Sequence, residues 1–452
     1  MRHRIGQTGP DFSSATKKLA ITRSQPEEGY HITTLPNGAR IASVAMPHMK
    51  SVTVGVWVAV GGRHETADEC GLSHFVEHML FKGTETRSPR QISEAVESVG
   101  GFINAFTTED HTCYYAKAGA RYLGLLSDVL LDMILHSQFV PDELEREREV
   151  IREEILMYRD QPSQHSQEIL SEIMWPNHPL GRSLTGTVET LATFGRARVK
   201  QFVRRTYNAS TILVTVSGNA THAEAVTALR PLLSRLKTGP LPPFQKWKSR
   251  SWQPSVRAIE DDTEQSHLSL GAHSVSRRDS ARFALKLLSV VLGENMSSRL
   301  FQQLRERHGF CYSIQSETMT LEDTGLLNIS VGLESEKVEK AVRLMAKEFV
   351  KLRDKNIPAR ELQQAKDYCI GHNELCLEST THHMMWLGES ILAYGRVIDP
   401  NEVRQKLNAV TAEDIRELAG RVLHPQQIGV AIVGKNLAPE KIRQSLLGTI
   451  QS

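Results

Sequence analysis

The chain has 452 residues, 40% of them hydrophobic and 23% charged, with a formal net charge of +2. That is length enough for about two or three domains with cores of their own, and so small a net charge gives no global argument for nucleic-acid binding. Five widely spaced cysteines, Cys70, Cys113, Cys311, Cys369 and Cys376, form no CxxC pair, which suits a reducing compartment rather than a disulfide framework.

Taken in chain order, the first 24 residues are basic and hydroxyl-rich but lack the apolar core of a secretory signal. Residues 1–28 are read as a flexible leader, with an organelle transit peptide as the alternative. The stretch SVTVGVWVAV at 51–60 alternates like a strand and falls far short of a roughly 20-residue membrane span. No transmembrane helix is expected. In GLSHFVEHMLFKG, residues 71–83, Leu72, Phe75, Val76, Met79 and Leu80 recur at helical spacing and make one buried stripe. His74, Glu77, His78 and Phe81 make a second stripe beside it, the two histidines about 40° apart around the axis. Gly83 is the expected C-cap. GGFINAFTTEDHTCYYAK, residues 100–117, reads as a core strand entered through two glycines. A glutamate-rich helix is predicted over 142–158, and a basic one with a solvated face over 195–205.

LKTGPLPPFQKWKSR, residues 236–250, carries three prolines and four basic residues, as expected of an exposed linker near mid-chain. SSRLFQQLRERHGFCYSIQS, residues 297–316, reads as an amphipathic helix ended by Gly309 and followed by a strand, with Arg305 on the surface. Adjacent His382 and His383 point about 100° apart on a helix, which makes them poor joint ligands; packing or surface roles are expected.

The two halves echo each other. VRRTYNASTILVTVSGN and AGRVLHPQQIGVAIVGKN each read as helix, turn and strand, and set Gly218 against Gly434, 216 residues apart. Near that offset, the strand starting at Thr53 falls against HLSLGAHSV at 267. The predicted fold is α+β: two homologous, duplicated α/β-layered domains, each a mostly antiparallel sheet flanked by helices. The expected boundaries are 29–235, a linker over 236–256, and 257–452.

A catalytic zinc site takes three protein ligands and leaves one position open, and two histidines at i and i+4 supply two of them from one helical face. HxxEH is the reverse of HExxH and still sets a carboxylate beside paired imidazoles. The alternative is a pair of core histidines hydrogen-bonded to a glutamate. A third ligand can come from DELEREREVIREEILMY, residues 142–158. There Leu144, Val150, Ile151, Ile155, Met157 and Tyr158 define an apolar arc with Glu147 and Glu154 in its middle. Glu145, Glu149 and Glu153 project outward, and Glu143 lies in the first turn, where it complements the helix dipole. Buried carboxylates need a partner, and a zinc ion on His74 and His78 supplies one.

HFVEH followed by EREVIREEILMY resembles the pitrilysin/insulinase family of zinc peptidases, the inverzincins, and especially its half-length branch that includes mitochondrial processing peptidase and its beta subunit. The similarity runs from TTLPNGARIASV at 33 to the chain end. The resemblance implies one Zn2+ per chain on His74, His78 and Glu154, with Glu147 supporting from behind and Glu77 as general base. It further implies an edge strand at Asn104, Ala105, Phe106 and Thr107 that pairs with substrate backbone, and substrate contacts from Arg305 and Tyr312 in the second half. No glycine-rich loop occurs around 293–298, unlike the non-catalytic partner subunit of that peptidase. Full-length relatives link four such domains, so a homodimer, or a heterodimer with a paralogue, is the expected partner arrangement.

The expected function is a zinc-dependent endopeptidase that hydrolyses short or unfolded polypeptides inside a dimeric chamber, by glutamate-assisted attack of zinc-bound water. One alternative is a non-catalytic structural subunit of a processing-peptidase-like or respiratory assembly, though such members generally have broken motifs and all of His74, Glu77, His78 and Glu154 are present here. Another is a dedicated peptide-maturation protease. A bacterial cytoplasm is the expected location, with the mitochondrial matrix as the alternative.

Overall fold

The computed structural model describes residues 29–248 and 252–451; the leader predicted over 1–28 lies outside them. Six strands of the first half, β1 Tyr30–Thr34, β2 Arg40–Ala45, β3 Ser51–Val58, β4 Phe102–Thr107, β5 Thr112–Gly119 and β6 Ile212–Gly218, form one sheet in the order β1-β2-β6-β3-β5-β4. Its helices are α1 Leu72–Leu80, α2 Pro89–Glu97, α3 Leu123–His136, α4 Pro141–Asp160, α5 Pro162–Met174, α6 Val188–Ala192, α7 Arg196–Thr206 and α8 His222–Leu233. The second half supplies β7 Val256–Glu260, β8 Ser266–Ser274, β9 Ile314–Thr320, β10 Gly325–Leu333 and β11 Ile428–Gly434, in the order β7-β11-β8-β10-β9. Around them lie α9 Arg282–Ser289, α10 Val338–Asp354, α11 Ala359–Cys376, α12 Thr380–Tyr394, α13 Pro400–Ala409, α14 Ala412–Val422 and α15 Pro439–Gln451.

The duplication is visible strand by strand. β2-β6-β3-β5-β4 and β7-β11-β8-β10-β9 have one order, and in each the sole parallel pair is the first, β2 with β6 and β7 with β11. The molecule is therefore an α+β protein of two related, mostly antiparallel sheets flanked by helices. Among the described residues no helix is long and apolar enough to cross a membrane.

Both faces of β3 are buried, which the alternating pattern of 51–60 only half explains. Val52, Val54, Val56 and Val58 face a core shared with α1, α3 and α8, while Trp57 faces the other way, against Met384, Leu387 and Ile391. Those three residues belong to α12, a helix of the second half. Reciprocally, Ile169, Leu170, Ile173 and Met174 of α5, a helix of the first half, pack with Ala431 and Val433 of β11 in the second sheet. Each sheet is thus covered on one face by a helix from the other half.

Two glycines make the exchange possible. A Cβ on Gly55 in β3 would stand 2.3 Å from Met384 Sδ, and one on Gly271 in β8 would stand 3.1 Å from Leu170. The two positions are 216 residues apart, the same interval that relates Gly218 to Gly434. A hydroxyl clip repeats the symmetry: Thr53 donates to Thr380 at the start of α12, and Ser166 of α5 meets Ser269 of β8, both at 2.9 Å.

Sequence and structure part company at four places. The segment 236–248 is pinned rather than freely exposed: Phe244 lies under the Arg63 guanidinium at 4.0 Å, and the main-chain N–H of Trp247 donates to Asp323 at 2.7 Å. Beyond the undescribed 249–251, the Trp252 indole donates to the Ile173 carbonyl. Its aromatic residues override the proline and lysine signals, because they find apolar cover between the halves. Residues 100–117 form a hairpin of two strands around a turn at 108–111, not one strand. Helix α1 ends at Leu80 with Phe81 as its cap, and Gly83 sits two residues beyond in a left-handed turn at φ +107°. On α4, Val150 and Met157 are 51% and 47% exposed. Val150 precedes Ile151 of the true stripe of Leu144, Glu147, Ile151 and Ile155 by one residue, about 100° of rotation, and Met157 follows Ile155 by two, which sets it about 160° away around the axis.

Gly388 of α12 provides a test of the crossed packing, since a Cβ there would fall 2.0 Å from the Trp57 ring. In an ordinary helix Gly→Ala stabilises by up to about 1 kcal/mol. Here Gly388→Ala is expected to destabilise by about 1–3 kcal/mol through overpacking, read as a lower midpoint in urea at unchanged slope.

Candidate metal centre

Helix α1 enters its core through Gly71, whose φ of +91° and whose absent Cβ, otherwise 2.6 Å from the Thr185 carbonyl, both require glycine. Glu65, buried at 5% exposure, accepts the amide N–H groups of Gly71 and Ser73 at 2.8 and 2.5 Å. It answers two of the amides that every helix start leaves unpaired. Burial nevertheless pushes its carboxyl up to about 7, against the pull of those same bonds.

One turn further on, the rings of His74 and His78 stand 4.5 Å apart, centroid to centroid. Opposite them α4 presents Glu154. Its Oε2 lies 3.7 Å from Nε2 of both histidines, and its Oε1 accepts the Tyr158 hydroxyl at 2.9 Å. One ligand atom from each of His74, His78 and Glu154 lies within 4.8 Å of the others, and no other such group of three occurs among the described residues. Ligands about 2.1 Å from a tetrahedral zinc ion are roughly 3.4 Å apart, so two imidazoles and a carboxylate in this arrangement suit zinc with one position left open.

The remaining carboxylates have protein partners. Glu147, 4% exposed, takes Nδ1 of His78 at 2.8 Å on one oxygen and Lys82 Nζ at 2.6 Å on the other. Burial works against its charge, but these two bonds hold its carboxyl below the ordinary range. Burial also disfavours a charged His78, and Glu147, Glu154 and Glu77 outweigh it, raising its pKa. His74 lacks such help: burial first, then His78, pushes it down to about 3, and its Nδ1 is buried without a hydrogen-bond partner. It is a neutral imidazole, the form that ligates metal.

Glu77 shares the helix face. Burial raises its carboxyl, partly offset by a 2.5 Å hydrogen bond that Oε2 accepts from the Thr107 hydroxyl. Thr107 ends β4, the outermost strand of its sheet, which among the described residues pairs only with β5 and leaves its other edge free. Asn104, Ala105 and Phe106 precede it on that strand, so the structure joins the predicted 104–107 segment to Glu77 directly.

Arg305 and Tyr312 come together with each other rather than with the histidines. The guanidinium lies 5.4 Å from the centre of the Tyr312 ring and 4.9 Å from that of Phe301, at the end of a wide, π-type helical segment Phe301–Arg307. Tyr312 is 81% exposed. No hydrogen bond or ion pair among the described residues joins either to His74, His78, Glu77 or Glu154. His382 is exposed and His383 half-buried on α12, with no metal-type group around them among the described residues.

Sequence reasoning missed Glu65, Lys82 and Tyr158. The last two had a signal in their spacing: Tyr158 follows its partner Glu154 by four residues, and Lys82 follows His78 by four, so that these two reach Glu147 from the same side. Glu65 had none, because it reaches α1 through an irregular loop. The second half carries no copy of the centre: at the 216-residue interval Val290, Glu294 and Ile370 stand where His74, His78 and Glu154 do.

A duplicated α/β fold with a two-histidine, one-carboxylate centre in one half defines a class of metal-binding proteins, and sequence comparison gives it a name. The insulinase (peptidase family M16) model matches residues 40–188, and the peptidase M16 inactive domain matches 193–369. The chain is similar to the uncharacterized zinc protease YmxG of Bacillus subtilis, 35% identical over 88% of this chain and 97% of that one. It is also similar to an uncharacterized zinc protease of Mycobacterium leprae, 34% identical over 98% and 99%. In fold it matches a protease from Helicobacter pylori with a TM-score of 0.84 at 21% identity, covering 90% of this chain and 99% of that one. This chain belongs to the insulinase family, peptidase family M16.

Two substitutions test the supports around α1. Glu147→Gln replaces the charged acceptor that orients His78 with a neutral amide and is expected to weaken metal retention about 10- to 100-fold, measured by competition with a chelator. Glu65→Ala leaves two helix amides unpaired and is expected to cost about 1–2 kcal/mol of stability in denaturant unfolding.

Proposed function

We propose that this protein is a zinc-dependent endopeptidase acting on short or unfolded polypeptides. The observation that carries this reading is the convergence of Nε2 of His74, Nε2 of His78 and Oε2 of Glu154 beside an acidic side chain, Glu77, that ligates nothing. Zinc held by these three donors, one ion per chain, supplies Lewis acidity that acidifies a water and polarises a peptide carbonyl.

The chain's own residues do the rest. Glu77, made more basic by burial, takes the proton of the attacking water and returns it to the leaving amine, as a general base and then acid. Thr107 holds one of its oxygens and leaves the other free for that exchange. The open edge of β4 at Asn104–Thr107 offers backbone N–H and C=O groups to an extended peptide, which favours flexible substrates over folded ones. Peptide laid along that edge runs past Thr107, and so past Glu77.

Arg305 and Tyr312 take substrate from the second half in this reading. So exposed a tyrosine, with an arginine over its ring, suits a surface that a bound peptide or a second subunit covers. A homodimer enclosing the two centres in a chamber completes the proposal.

The test is hydrolysis of flexible quenched-fluorescence peptides by wild type and Glu77→Gln, with zinc measured on both. The expected result is one zinc per chain in each, with turnover lowered at least about 10²- to 10⁴-fold in the variant. Equal cleavage by both, or loss of zinc in the variant, overturns the assignment of Glu77.

A further inference from the structure

On the side of the first sheet away from α1, where Trp57 and Phe106 meet α12, a cavity of about 560 Å³ lies between the halves. Its walls are the 108–111 turn, β9, α9, α11 and α12. The volume is that of an ordinary small-molecule site. Nothing in the proposed peptidase chemistry uses it.

The charges that line it are unevenly partnered. Asp110 is taken by Arg63 and Arg277, and Lys286 by Glu294. Arg282 donates to the Arg277 carbonyl and to the Tyr394 hydroxyl, both at 2.7 Å, with its guanidinium over the Tyr394 ring. Glu109, from the first half, and Glu389, from the second, have no ion pair and no hydrogen bond to another side chain among the described residues. Burial raises both carboxyls above the ordinary range, and Arg277 pulls each of them back without touching it. Glu389 is exposed to the water of the cavity that it lines. A third orphan sits on the same turn, since Nε2 of His111 is buried with no partner, and burial keeps that ring neutral, with its pKa near 4.

The rest of the wall is aromatic, with Phe283, Tyr368, Trp386 and Tyr394. Two unpaired carboxylates and a neutral imidazole among aromatic faces attract one kind of guest. A small inorganic cation would leave the apolar wall uncovered, and an anion would meet the two carboxylates. We propose that this cavity binds an organic cation, an alkylammonium or guanidinium group on an apolar stem, held by Glu109 and Glu389 and covered by the aromatic wall. Such a group can arrive as a free amine or as a lysine or arginine side chain of a bound peptide. The inference is independent of the peptidase reading, because the α1 centre contributes no residue to the cavity.

Isothermal titration of the full-length protein with two probes tests it. One is agmatine, against its neutral alkylurea analogue; the other is a flexible arginine-bearing peptide, against its citrulline twin. Saturable one-to-one binding of agmatine assigns the site to free amines; binding of the arginine peptide alone assigns it to a peptide side chain. In either case the neutral analogue stays silent, and Glu109→Gln with Glu389→Gln weakens binding at least about tenfold while the thermal midpoint is retained. No saturable binding by either probe, or equal binding by the double variant, overturns the proposal.

Discussion

An ionised carboxylate cannot be left bare in a protein interior, and this constraint organises everything around α1. Four glutamates crowd one short helix, and each has its own answer. Glu65 takes the helix amides, Glu147 takes His78 and Lys82, and Glu77 takes a threonine hydroxyl. Glu154 keeps one oxygen on Tyr158 and turns the other toward two imidazoles. Of the four, it alone faces a place where a cation fits. The order of supports also explains the different histidines: His78 is oriented by a carboxylate from behind, whereas His74 is held by packing and is neutral through burial.

The centre needs α1, α4 and β4 in fixed relation, and that rigidity comes from outside the first half. With α12 laid across β3 and β6 and α5 laid across the second sheet, neither half is complete without the other. Arg63 adds a charged tie: fully buried, it bonds Asp110 in the turn after β4 and Asp323 in the second half, under the ring of Phe244 from the connecting segment. A buried guanidinium between two aspartates fixes orientation more than it adds stability. The free edge of β4 is thereby anchored at its far end by the half that bears no metal-type centre.

Duplication has left two frames with different contents. One order of strands appears twice, the same glycine admits the crossed helix in each, and the same hydroxyl clip starts it. What differs is the polar load. The first half keeps its histidines and glutamates, whereas the second replaces them with Val290, Glu294 and Ile370 and has its unpaired charge in the cavity between the halves.

The sequence by itself determined whatever repeats along a helix, a strand or the whole chain: the α1 stripe, the Glu147 and Glu154 positions, the 216-residue duplication. Periodicity is a local property, so His74, Glu77, His78 and Glu154 were legible before any coordinate. Even there the reading was blunt, since a flank of one or two residues is enough to misplace Val150 and Met157. Only the tertiary structure decided that α5 and α12 cross over, that an aromatic-rich linker is pinned, and that 100–117 turns back on itself. It also decided that Glu65 caps α1, that Thr107 reaches Glu77, and that Arg305 stacks on Tyr312 away from the histidines. These depend on which surfaces meet through long-range packing, and residues far apart in sequence carry no pattern that announces their contact.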